Sequence, residues 1–128
     1  MTLRTPLSRA RGLGSAHEGA HHWWQQRVTA VAMIPLVFWF VASLASHVGA
    51  DHAAMRSWLS SPLNATLLIA LLVAVFHHAQ LGLQVVFEDY VHCNAAKVAG
   101  IIVTKLLAVL FGIFSVVSVL MIAMGGRG

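Results

Sequence analysis

Two adjacent imidazoles, His77 and His78, lie within a run, 63–87, that contains no Asp, Glu, Lys or Arg. Imidazole can ligate a metal, carry a proton or bridge two helices, and in apolar surroundings it is costly unless paired, ligated or facing water. From His78, the positions Gly82, Val85 and Asp89 follow at i+4, i+7 and i+11. At 100° per residue the last returns to within about 20° of the first, so all four share one helix face. Gly82 leaves a gap one turn from His78, where a flat macrocycle can lie against the backbone. Asp89 and Tyr90 stand about 16 Å further along the axis. There Glu88, Asp89 and Tyr90 close the run with two carboxylates and a phenol. The helix dipole disfavours anions at that end, so helix stability does not explain the acids. Boundary acids are also commonly solvated, and a boundary tyrosine commonly belongs to an aromatic belt.

His78 therefore has two readings from the residues alone: an iron ligand, or a side chain hydrogen-bonded to a neighbouring helix through a hydroxyl or carbonyl. His77 points about 100° away and cannot serve the same iron; it reads as a packing residue. A low-spin haem needs a second axial ligand. His47 lies near the far end of the first apolar run, so the second ligand is expected from another polypeptide.

The elements that must hold these groups follow from composition. Of 128 residues, 59% are hydrophobic and only 9% charged, with a mean hydropathy of +0.80. A water-soluble or disordered chain does not have this balance. The single cysteine, Cys93, excludes an internal disulfide, a thiolate cluster and CxxCH haem attachment. No dinucleotide fingerprint is present. The net charge of +4 does not indicate nucleic acid, because Arg4, Arg9, Arg11 and Arg27 cluster ahead of the first apolar run. That is a membrane-topology signal.

The predicted fold is all-α: an integral membrane protein with three transmembrane helices, over about 28–49, 63–87 and 98–124, behind a short cytoplasmic N-terminal arm, 1–27. Pro35 is expected to kink the first span without ending it, and Lys105 to snorkel from the third. The arm lacks the apolar middle of a cleavable signal peptide. Trp23 and Trp24 suit one interfacial belt and Trp58 the other. Five bases, Arg4, Arg9, Arg11, Arg27 and Lys97, stand on one side of the spans against Arg56 and Arg127 on the other. The positive-inside rule puts the first group in the cytoplasm and makes 51–62 an outer loop.

The string His78-Ala-Gln-Leu-Gly82 followed by Asp89-Tyr90 resembles the HxxxGxxxxxxDY signature of the D-type membrane anchor subunit of succinate dehydrogenase, respiratory complex II. The likeness in spans, basic arm and orientation extends from about His17 onward. It implies His78 as an axial ligand of haem b, with the opposite ligand on a second, cytochrome b556-type anchor subunit, and Gly82 beside the macrocycle. It further implies that Tyr90 hydrogen-bonds a carbonyl oxygen of ubiquinone, that Asp89 organises that site, and that Arg27 and His21 face the haem propionates. Physical sense supports Arg27 because a guanidinium can fork onto a carboxylate; its bland role is snorkelling. His21 stands among His17 and His22 and reads equally as a solvated interfacial side chain.

The expected function is thus that of an anchor in the bacterial inner membrane. A flavoprotein subunit oxidises succinate, an iron-sulfur subunit relays electrons, and ubiquinone is reduced where that subunit meets the anchors, as a step shared by the tricarboxylic acid cycle and the respiratory chain. This chain catalyses nothing alone. The alternatives are the anchor of a quinol:fumarate reductase and a cofactor-free structural adaptor. Orientation is testable by fusions: alkaline phosphatase inserted in the 51–62 loop should be active, and the same enzyme fused ahead of Arg27 inactive. The reverse pattern would show the opposite topology.

Overall fold

The structure, a computed structural model, describes residues 6–10 and 17–125. A five-residue helix, α1 (Pro6–Ala10), precedes three long helices, α2 (His17–Ser46), α4 (Pro62–Tyr90) and α5 (Asn94–Gly125), with a short α3 (His52–Leu59) between the first two. Each long helix contains a segment apolar and long enough to cross a bilayer: Gly19–Ser46, Pro62–Tyr90 and Asn94–Gly125. Helix is the element that lets a backbone enter hydrocarbon with its polar groups satisfied. The hydroxyls obey the same rule: Thr66, Ser115 and Ser118 donate to carbonyls one turn back, at 2.7–2.8 Å.

The first helix starts at His17, well before the apolar run at Val28, so the second part of the expected arm is helical and continuous with the span. It passes through Pro35 without ending. It stops at Ser46, and a turn follows whose Gly49 takes φ +82°, a conformation that favours glycine. The 51–62 segment, expected as a loop, is not featureless. Asp51 caps α3 by accepting from the Ala54 amide at 2.8 Å, and Pro62 opens α4 at a position where its missing N–H costs nothing. Asn64 donates to the Trp58 carbonyl at 2.8 Å. Arg56 donates to the Gly125 carbonyl at 2.9 Å, so α3 covers the last turn of α5. Trp58, expected in an interfacial belt, instead stacks on Trp39 of α2, centroids 5.9 Å apart.

The central helix is α4, which packs against both α2 and α5, while α3 bridges the start of α4 and the end of α5. Little is buried. Leu59, Ala65 and Val119 form one small cluster under Trp58, and Leu71 and Leu81 are buried along α4. Large apolar side chains on all three long helices remain exposed, among them Phe38, Leu83, Phe114 and Met121. Such a surface suits lipid and other membrane helices.

One close approach holds the C-terminal end of α4 against the N-terminal end of α5. A Cβ added at Gly100 would lie 2.5–2.9 Å from the ring of Phe87, whereas one at Gly112 would meet Phe76 at 3.7–3.8 Å, ordinary contact. Gly100→Val should therefore destabilise the helix pair by about 1–3 kcal/mol through overpacking. Gly112→Ala should be neutral, with thermal denaturation in detergent checking both. Equal melting temperatures for Gly100→Val and the parent would refute the packing role.

Candidate functional site

The structure joins His78 to α2. Its Nδ1 lies 3.1 Å from Oγ1 of Thr29, and that hydroxyl is also 2.9 Å and 3.0 Å from the backbone carbonyls of Gln25 and Gln26. His78 is half-buried, and among the described residues its Nε2 has no hydrogen-bond partner. The interhelical bond anticipated by the bland reading thus occupies one ring nitrogen and leaves the other. Among the described residues no three His, Cys, Asp or Glu side chains converge on a bare-metal site.

Gly82 lies on the same face, one turn toward the Tyr90 end of α4. A Cβ there would meet only Gln26 Nε2, at 3.6 Å. Packing within this chain accommodates an alanine at that point and so does not itself demand glycine. Among the described residues the Gln26 Oε1 beside it is buried without a partner, as is Nε2 of His22, which lines a cavity with His77. Such orphaned polar atoms are uncommon and suit a site completed by groups outside the chain.

The two arm residues diverge. Arg27 is exposed, its guanidinium carbon 5.3 Å from the Trp23 ring centroid in a cation–π contact. It lies about 160° round α2 from Thr29, so the structure does not bring it beside His78. His21 is exposed and has its Nε2 3.0 Å from Gln25 Nε2. With His22, Gln25, His77, Gln80, Gln84 and Lys105 it lines a cavity of about 550 Å³ between the three long helices, to which Leu81 and Val109 add apolar wall. Sequence reasoning had left His22, Gln25, Gln80 and Gln84 unused. The signal was there: Gln80 and Gln84 follow His77 at i+3 and i+7, which is one helix stripe.

Asp89 and Tyr90 end α4, both exposed; Tyr90 has 76% of its surface open. Glu88 accepts from Gln84 Nε2 at 2.8 Å. Val91 donates to the Phe87 carbonyl at 3.2 Å, so the chain leaves the helix directly after Tyr90. The continuous α4 keeps His78, Gly82 and Asp89 on one face, as their spacing requires.

The profile of the family described as Succinate dehydrogenase/Fumarate reductase transmembrane subunit matches residues 1–120. The chain is 33% identical over 117 residues to the succinate dehydrogenase hydrophobic membrane anchor subunit of Rickettsia bellii (strain RML369-C), covering 91% of this chain and 94% of that one. It is 30% identical over 99 residues to the protein of the same name from Paracoccus denitrificans, covering 77% of each. It is 26% identical over 95 residues to the succinate dehydrogenase membrane anchor subunit of Reclinomonas americana, covering 71% of this chain and 78% of that one. No solved structure matches significantly. With three apolar helices, an imidazole inside the central one and similarity running nearly end to end, the chain belongs to the succinate dehydrogenase/fumarate reductase transmembrane subunit family.

Proposed function

We propose that this chain is the hydrophobic anchor subunit of a succinate:ubiquinone oxidoreductase, supplying one axial ligand to haem b and part of the site where ubiquinone is reduced. The observation that carries the reading is the state of His78: held by α2 through one nitrogen, without a partner among the described residues at the other, and in helical register with Gly82 and Asp89. A ligating imidazole of this kind usually has its second nitrogen hydrogen-bonded by the protein. The donor set fits haem better than a bare ion, since haem iron asks only one ligand from each side.

When bound, the haem supplies a one-electron couple whose potential the axial ligand helps to set. His78 would hold the iron through Nε2, and Gly82 would leave room for the macrocycle. Arg27 and His21, both exposed and on the cytoplasmic side of Thr29 along α2, would face the propionates. The depth of these two residues supports the role, although Arg27 must leave Trp23 to perform it.

At the cytoplasmic end of α4, reduction of ubiquinone to ubiquinol takes two electrons and two protons. The Tyr90 hydroxyl would donate to a quinone carbonyl oxygen and favour negative charge developing there. Asp89, through water, would hold a proton within reach of that oxygen. Exposure of both residues in the isolated chain accords with a pocket that an iron-sulfur subunit and the second anchor complete. The flavoprotein, bound beyond the iron-sulfur subunit, would oxidise succinate, and this chain would hold the assembly in the bacterial inner membrane with its N-terminus cytoplasmic.

The family description includes fumarate reductases, but the matched relatives carry the succinate dehydrogenase name, which favours that direction. A second reading is favoured by one observation: the Thr29–His78 bond is what a cofactor-free adaptor would also use to join two helices. A dithionite-reduced spectrum of the purified complex separates them. The proposed function expects b-type haem bands that His78→Ala removes or diminishes; their presence at full strength in that variant defeats the ligand role. Tyr90→Phe should lower quinone reduction about a hundredfold while succinate oxidation by an artificial acceptor continues. Equal loss of both activities would point to failed assembly instead of a role at the quinone.

A further inference from the structure

We propose that Thr29 is the positioning residue for His78: its hydroxyl fixes the imidazole tautomer that leaves Nε2 free to bind iron. The inference rests on haem ligation by His78, as proposed above, and adds to it how the chain prepares the ligand. A hydroxyl has one proton and two lone pairs. Oγ1 of Thr29 has three neighbours: the Gln25 carbonyl at 2.9 Å, the Gln26 carbonyl at 3.0 Å and His78 Nδ1 at 3.1 Å. Carbonyl oxygens only accept. Were the proton aimed at Nδ1, bare oxygens would face one another across both short contacts. Shared between the two carbonyls, the proton satisfies them together, and Oγ1 is left as an acceptor.

The third contact then runs from His78 to Thr29, with Nδ1–H as donor. A neutral imidazole carries a single N–H, so Nε2 holds the lone pair. That nitrogen has no hydrogen-bond partner among the described residues. The arrangement is self-consistent in a second respect. A hydroxyl that donates is a better acceptor, because each bond polarises the next. Nδ1–H donation in turn makes the imidazole a more basic ligand. Threonine suits this position because helical threonine settles into the rotamers that reach the i−3 and i−4 carbonyls. The bond also links α2 to α4 across a sequence separation of 49, orienting the ring as well as its proton.

His77 makes a useful contrast. Its neighbour on the helix is His78, but it lines the cavity shared with Gln80, Gln84 and Lys105 and an apolar pocket beside Phe76 and Ala108, and it has no hydroxyl partner among the described residues. Only one of the two adjacent imidazoles is thus prepared as a ligand.

The test uses the assembled, purified complex with Thr29→Val, Thr29→Ser and His78→Ala, reading haem per complex by pyridine haemochrome and midpoint potential by redox titration. Thr29→Val keeps the shape and removes the acceptor. It should weaken haem retention roughly 10–100-fold and raise the potential of the haem that remains, because a less basic imidazole stabilises the oxidised iron less. Thr29→Ser restores the acceptor and should lie close to the parent in both measurements. If valine prevents assembly, Thr29→Ala removes the hydroxyl without adding bulk and carries the same expectation. A role in helix packing alone would not move the potential. The proposal is overturned if the hydroxyl-free variant retains parental haem content and potential while His78→Ala loses haem. It is likewise overturned if serine shifts both as far as valine. If His78→Ala leaves haem unchanged, the ligand assignment itself fails.

Discussion

Hydrocarbon offers no hydrogen bonds, and every other feature of this chain follows from meeting that lack internally. The backbone answers with three long helices. Side-chain hydroxyls answer by turning back onto their own helices, and Thr29 does so while serving His78. The same constraint makes the exceptions informative. Among the described residues His22 and Gln26 keep buried polar atoms without partners, His22 on the cavity shared with His77 and Gln26 beside Gly82 of α4. Unmet polarity thus lies on that part of α2, while Trp58, Leu59 and the Arg56–Gly125 bond hold the other end of the bundle.

The division of labour between the ends is physical. At the α3 end, α3 packs on α4 and α5 and contributes to the buried cluster. At the opposite end, α4 and α5 touch closely through Phe87 on Gly100, yet Asp89 and Tyr90 remain open. One end of the bundle is closed by its own residues, and the other leaves an acid and a phenol uncovered.

Much of this was legible in the residues. The three apolar runs specify three spans because the lipid thickness sets a length and the residue types set the medium. The His78–Gly82–Asp89 face is legible because an α-helix has a fixed period. The beginning of α2 was not: His17–Arg27 is polar, so hydropathy stops where helical hydrogen bonding does not. Helix α3 escaped because eight amphipathic residues in a loop give a weak periodic signal. The inward stacking of Trp58 depends on Trp39, a partner on another helix. Thr29 was missed for the same reason: one hydroxyl in an apolar run has no meaning until α4 lies beside it. The separation of Arg27 from that stripe, by contrast, follows from the helical wheel alone.

The scarcity of buried side chains has a consequence of its own. Among the described residues only five hydrophobic side chains are buried, which leaves most of the apolar surface for lipid and other membrane helices. Association with such helices follows mass action in two dimensions. Bilayer area per molecule then bears on assembly as heat does, so adding surplus phospholipid at constant temperature amounts to dilution and favours the separated chain over its assemblies.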